Sequence, residues 1–285
     1  MELELSEPLL KSLLVLGEII EARDPYTGGH VWRVSQFAML LAKETGFSPD
    51  ETTRIGIGGF LHDLGKVGIP DLILRKKDKL EAGEFETMKT HPTIGGKLIE
   101  QHPLAILVSD VILQHHERLD GRGYPFGISG DQLTPAARLI SVADAFDAMT
   151  STRPYHEPLP IEAALSNLEQ DSPSQFDAQM VAGMKALARK NELGHIVSHT
   201  EEGIPLIACP TCGAVITFTR HTHDGDIVYC HSCTGEHRLH QRGETFDAEF
   251  TGKLGRPEDV QPQANLEMIQ DFVKGTPKTI SFDPL

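Results

Sequence analysis

Long apolar runs are missing from this chain of 285 residues: none approaches the ~18 needed for a helix to cross a bilayer. The opening MELELSEPLLK is acidic where a secretory leader would be basic, so a cytoplasmic protein is expected. Positive charge is also scarce, with 26 Lys and Arg against 41 Asp and Glu and a net charge of −15. Nucleic acid or an anionic membrane would require a basic field, so neither is an expected partner. An anionic substrate must instead be drawn in locally, by bound cations and a few placed Lys and Arg side chains. Cysteine is confined to two C-x-x-C pairs, which in a reducing compartment point to metal before disulfides.

Strand-like alternation is nearly absent up to residue 190. Apolar residues at 5, 9, 13, 16 and 20 make one helical stripe, which either packs on its own domain or pairs with a second copy in a homodimer. The segment RDPYTGGH breaks it, and further helices are expected at about 30–45, 50–64, 82–101, 103–117, 134–150, 160–170 and 177–190. The expected fold class is mainly α: an all-helical domain over 1–190, a polar linker over 191–205, and a small β module over 206–250. The last stretch, 251–285, reads as a tail or docking arm with one short helix at NLEMIQDFV.

The helical part carries His30, His62, Asp63, His91, His115, His116 and Asp144 inside or at the ends of apolar helices. Any one of these histidines alone is most simply a hydrogen-bonded core residue or a cap. Together they are costly to bury unless they bind metal. Neighbours His62 and Asp63 diverge by about 100° on a helix, so they share a centre only if ligands from other helices converge on it. Asp63 has two oxygens and can bridge two ions, the usual device for in-line displacement at phosphorus.

The motifs resemble the HD-GYP family of cyclic dinucleotide phosphodiesterases of bacterial signalling. They are His30, HD at 62–63 with Gly65 and Lys66, His91 in KTHPTIG, HHE at 115–117, DGRGYP at 120–125 and ADAFDAMTSTRPY at 143–155. The resemblance covers about residues 8–185 and implies an all-helical HD bundle that opens cyclic di-GMP to linear pGpG, with further cleavage to GMP as an extension. The same chemistry on 3',3'-cyclic GMP-AMP, or a non-catalytic protein that binds a cyclic dinucleotide or a cyclase, are the alternatives. It further implies a bimetal centre, with iron or manganese expected. His30, His62, Asp63 and Asp144 would hold one ion, and Asp63 would bridge to a second held by His91, His115 and His116. The implied nucleophile is a hydroxide between the metals. Lys66 is expected to act catalytically beside the scissile phosphate, although a lysine there also solvates a helix end. Tyr124 and Arg153 are expected to contact substrate, with Asp147 orienting a ligand or the lysine, and the DGRGYP loop is a candidate docking site for diguanylate cyclases. Two departures stand out: Tyr26 replaces the Glu of members with a third metal, and His156 stands where Arg or Lys often follows RPY.

Cys209, Cys212, Cys230 and Cys233 follow C-x2-C-x17-C-x2-C, a spacing that indicates one structural zinc in a fold resembling a zinc ribbon. A redox C-x-x-C or an iron-filled centre is the alternative. The nearby histidines 221, 223, 231, 237 and 240 are left out of the ligand set because four thiolates saturate it. A protein contact or a sensor arm is the expected role of this module; a nucleic-acid adaptor is the competing one.

Overall fold

A computed structural model describes residues 2–24, 27–76, 78–151, 158–243, 245–261 and 263–281. The helices are α1 (Glu7–Glu21), α2 (His30–Glu44), α3 (Pro49–Leu61), α4 (Asp71–Leu74), α5 (Ala82–Met88), α6 (His91–Ile99), α7 (Ser109–Gln114), α8 (Pro135–Thr150), α9 (Ile161–Gln170), α10 (Ala178–Arg189) and α11 (Leu266–Gly275). The strands are β1 (Glu2–Glu4), β2 (His199–Glu201), β3 (Ile204–Pro205), β4 (Ile207–Ala208), β5 (Val215–Ile216), β6 (Ile227–Tyr229), β7 (Gly235–Arg242), β8 (Thr245–Leu254) and β9 (Thr279–Ser281).

The helical core forms around α2, α3 and α8. Ser48 opens α3 with a capping box to Glu51, and Thr134 caps α8 ahead of Pro135. Each helix then buries its apolar side: Phe37 of α2 meets Phe146 of α8 edge-on at 5.1 Å, and Ile55, Ile57 and Phe60 of α3 fill the space beside them. Of the expected stripe, Leu5, Leu13 and Ile20 enter that same core with Leu10 and Leu14 beside them and Leu9 packs against it, whereas Leu16 faces outward and is exposed.

Two expected helices are broken. The 82–101 stretch divides into α5 and α6 between Met88 and His91, because Pro92 has no N–H to donate to the preceding turn and must sit in the first turn of a new helix. The 103–117 stretch yields a single 3-10 turn over Ala105–Leu107 and a short α7, leaving His115 and His116 just beyond its end.

The C-terminal part is more integrated than a linker, ribbon and tail. Leu193 and Ile196, in the expected linker, are buried in the helical core, and β2 and β3 follow as an antiparallel pair. Strands β4 and β5 form one hairpin, and β6, β7 and β8 a three-stranded antiparallel sheet reaching residue 254. Beyond it α11 returns to pack on α1, with Met268, Ile269 and Val273 in the main core and Phe272 5.8 Å from Phe60. Strand β9 pairs antiparallel with β1, Glu2 opposite Ser281. Among the described residues no helix is long and apolar enough to cross a membrane.

Candidate metal centre

The end of α3 and the 3-10 turn at Leu64–Gly68 set the centre of the site. Gly65 permits this: a Cβ there would lie 1.7 Å from the His91 carbonyl oxygen, so only glycine lets the turn carrying Asp63 press against α6. His30 is the first residue of α2, whose N-terminal amides are satisfied from outside the helix. Glu21 accepts from His30 N at 2.7 Å and from Val31 N at 3.1 Å.

Two groups of donor atoms result, each within 4.8 Å of one another: His30, His62 and Asp144, and Asp63, His91, His115 and His116. Asp63 faces both. Its Oδ2 lies 3.5 Å from His30 Nε2 and 3.3 Å from His62 Nε2, and its Oδ1 lies 3.5 Å from His91 Nε2. Asp144 Oδ1 lies 3.5 Å from His30 Nε2.

The opposite edges of these rings are tied to acceptors. His62 Nδ1 meets the Gly59 carbonyl at 2.7 Å, His91 Nδ1 that of Met88 at 2.8 Å, and His115 Nδ1 those of Val111 and Ile112 at 3.1 and 3.0 Å. A carbonyl can only accept, so these three rings carry their proton on Nδ1 and present a bare Nε2 to the pocket. His62 Nε2 is buried without a hydrogen-bond partner. The Nε2 atoms of His91 and His115 face each other at 3.2 Å, two lone pairs with no proton between them. A cation relieves that conflict, and imidazole with carboxylate suits iron, manganese or zinc. The residues therefore fit a metal pair.

The two pockets differ electrostatically. Burial depresses His91 to about 4 and His116 to about 3, and holds His115 well below its ordinary value. Burial would also depress His30, but its hydrogen bonds to Asp147 and Asp63 and the charge of Asp144 outweigh it and raise it to about 9. Burial opposes ionisation of Asp63, yet the charge of Lys66 and the hydrogen bond from His30 hold its carboxyl well below the usual range. Lys66 Nζ donates to Asp63 Oδ2 at 2.6 Å.

Tyr124 lies against His116, ring centroids 4.7 Å apart, at the edge of a cavity of about 420 Å³ lined also by His115, Asp144, Arg118 and Arg122. Burial raises its phenol above the ordinary value. Asp147 is buried one turn after Asp144 and faces His30 Nδ1, at 2.7 Å, and Arg33. It does not line that cavity; its contacts are with His30 and Arg33 rather than with the space a substrate would fill. Arg153, His156 and Tyr26 lie outside the described residues.

Sequence reasoning missed Arg33 and Glu117. Arg33 follows His30 by three positions, on the same helical face, which was the available signal. Glu117 was read only as part of HHE; its Oε1 accepts from Phe126 N at 2.6 Å and Gly127 N at 3.1 Å and so fixes the loop after Tyr124.

The four cysteine sulfurs also gather within 4.8 Å of one another. The two turns match: Gly213 N donates to Cys209 O and Thr234 N to Cys230 O, each at 2.9 Å, with Gly213 and Thr234 both at positive φ. His237, set aside as a ligand, is fully buried with Nε2 3.4 Å from Cys209 Sγ.

Fold and pockets define a helical protein with adjoining histidine–aspartate sites. The chain belongs to the HD-domain family, whose model matches residues 14–180. A Thermotoga maritima protein named cyclic di-GMP phosphodiesterase is 38% identical over 189 residues, covering 66% of this chain and 51% of that protein. A Vibrio cholerae protein named 3'3'-cGAMP-specific phosphodiesterase 3 is 33% identical over 169 residues, covering 59% of this chain and 37% of that protein. The chain thus spans about half the length, or less, of these relatives. The solved structure of a cyclic GMP-AMP phosphodiesterase of V. cholerae shares the fold, with a TM-score of 0.51 at 17% identity over 66% of this chain and 50% of that one.

Proposed function

We propose that the chain is a metal-dependent HD-GYP phosphodiesterase that opens cyclic di-GMP to linear pGpG. The observation that carries this reading is Asp63, one carboxylate whose two oxygens face two separate sets of imidazoles. His30, His62, Asp63 and Asp144 would hold one ion, and His91, His115, His116 and Asp63 a second, with iron or manganese suiting the donors. Two divalent ions so held would make water acidic enough to attack at neutral pH and would polarise a phosphoryl oxygen.

The chain's own groups do the rest. Lys66 brings its ammonium to the shared carboxylate, where it can neutralise charge gathering on the phosphorus oxygens. Tyr124, Arg118 and Arg122 border the cavity that receives the dinucleotide, and Arg153 is the proposed phosphate clamp. The likeness to the cGAMP-specific relative supports a second substrate, 3',3'-cyclic GMP-AMP, since the ligand pockets engage phosphates and leave the bases to the cavity rim.

The four cysteines are proposed to hold one structural zinc in a ribbon spanning about 206–254. A module with so small a core draws much of its stability from such an ion.

The test is anaerobic purification, measurement of iron, manganese and zinc per chain, and turnover of both cyclic dinucleotides by the wild type and Asp63→Ala. Hydrolysis by the wild type alone is expected. A filled centre with no turnover of either dinucleotide would leave a binding protein in place of an enzyme.

A further inference from the structure

The contacts that orient the first pocket do not stop at the helical bundle. Arg33 is buried on α2, one turn after His30. Its Nε donates to Asp147 Oδ1 at 2.6 Å and its Nη2 to Oδ2 at 3.2 Å, and this carboxylate is the one that holds His30 Nδ1. Its Nη1 points the other way and donates to two carbonyls, Gly28 at 2.9 Å and His199 at 2.7 Å. His199 opens β2. One guanidinium is therefore shared between the carboxylate that orients a pocket histidine and the backbone of the C-terminal part.

The fit at this junction is close. Gly29 has a φ of +78°, and a Cβ on it would lie 2.4 Å from Thr200 Cα, so no side chain can come between α2 and β2. The strand is held from its far side as well. Buried Glu201 accepts from Arg220 Nη2 at 2.7 Å, and Arg220 Nη1 donates to Asp271 of α11 at 2.9 Å. Ile204 of β3 packs with Phe218 and Leu239 in the small core of the ribbon.

We infer that Arg33 is a positioning residue and that β2 completes the first pocket, so that the ordered C-terminal module sets the metal affinity of His30, His62 and Asp144. This rests on the metal-centre reading above. Without the His199 carbonyl, a buried Nη1 loses an acceptor and the guanidinium must turn to recover one, taking Asp147 with it and releasing the His30 ring. Losing the group behind a ligating histidine typically weakens metal binding by roughly 10–100-fold. The second pocket is independent of the junction, because His91 and His115 take their Nδ1 partners from Met88, Val111 and Ile112. Linkage also runs backwards: an ion in the first pocket must stabilise β2.

The experiment is manganese titration of the full chain, reading free Mn²⁺ by its paramagnetic resonance, with amide hydrogen exchange over 199–205 followed in parallel. Arg33→Lys keeps the charge but not the fork; Arg220→Ala loosens β2 from the ribbon and lies in neither pocket. The wild type is expected to bind two ions, with exchange in β2 slowing as the first pocket fills. Each variant is expected to weaken one of the two sites by roughly 10–100-fold and leave the other unchanged. Unchanged affinities at both sites in the folded variants, with β2 exchange indifferent to manganese, would overturn the inference. A wild type that binds fewer than two ions would overturn the metal-centre reading beneath it. The exchange measurement needs no variant, so it decides even if Arg33→Lys does not fold.

Discussion

Asp63 and Lys66 sit three residues apart and touch, yet their substitutions should separate cleanly. Asp63→Asn removes the charge that both sets of imidazoles share, so metal per chain should fall at both pockets and hydrolysis should vanish with it. Lys66→Ala leaves every proposed ligand in place, so metal content should hold while kcat drops by about 10²-fold, the usual scale for one lost group at a developing charge. Metal analysis alongside kinetics distinguishes the two. Glu18 makes a different prediction. It lines a cavity of about 360 Å³ between α1 and the ribbon, and burial together with the charge of Glu21 raises its carboxyl to about 8 despite a hydrogen bond from Asn265 N. Between the ordinary value of 4.5 and 8 the folded chain keeps a proton that the unfolded chain has released, so this group's contribution to stability falls as pH rises through that window and levels off above it. Thermal unfolding of Glu18→Gln from pH 5 to 8 should show a flatter decline, with a remainder from Glu21, which burial also raises. At this scale the proposed ligands were legible because each sits in a short motif. Arg33 was missed, since a helical arginine ordinarily faces water and its place three residues after His30 was the one sign that this one does not.

Elements obeyed the apolar spacing where nothing local opposed it. Helix α8 runs over Pro135–Thr150 against an expected 134–150, carried by a clear cap and an uninterrupted stripe. The spacing failed where side chains bind backbone more profitably than the helix does. After α7 the chain turns away, and Glu117 takes two amides of the following loop on one oxygen. Glu117→Ala should therefore cost about 1.5–3 kcal/mol, the scale of hydrogen bonds made to a carboxylate, as read by urea denaturation. Because that loop carries Tyr124, KM for the dinucleotide should rise while metal content stays as in the wild type. Proline gave the other visible warning: Pro92 foretells the break before α6, whereas the shortness of α7 has no comparable mark in the sequence.

At the scale of the whole molecule, composition separated a helical part from a β part correctly in kind but misjudged how they join. The stretch 191–205 is polar and glycine-containing, which reads as a linker, yet Leu193 and Ile196 anchor it in the core. The final helix reads as part of a tail or docking arm, although Met268, Ile269, Phe272 and Val273 fall on one helical face, the spacing of a buried stripe, and Ile269 is fully buried in the core that α1 joins. Ile269→Ala should destabilise the chain by about 2–5 kcal/mol, the range for truncating a buried aliphatic side chain, with a single loss of midpoint in denaturant if bundle and C-terminal part unfold together. The antiparallel pairing of β1 with β9 has a mechanical corollary. Glu2 and Ser281 leave the pair at one edge, so tension applied through handles on the two ends in an optical trap loads its hydrogen bonds one after another. The clasp should unzip at low force, α11 should peel away next, and the helices bearing the histidines should yield last.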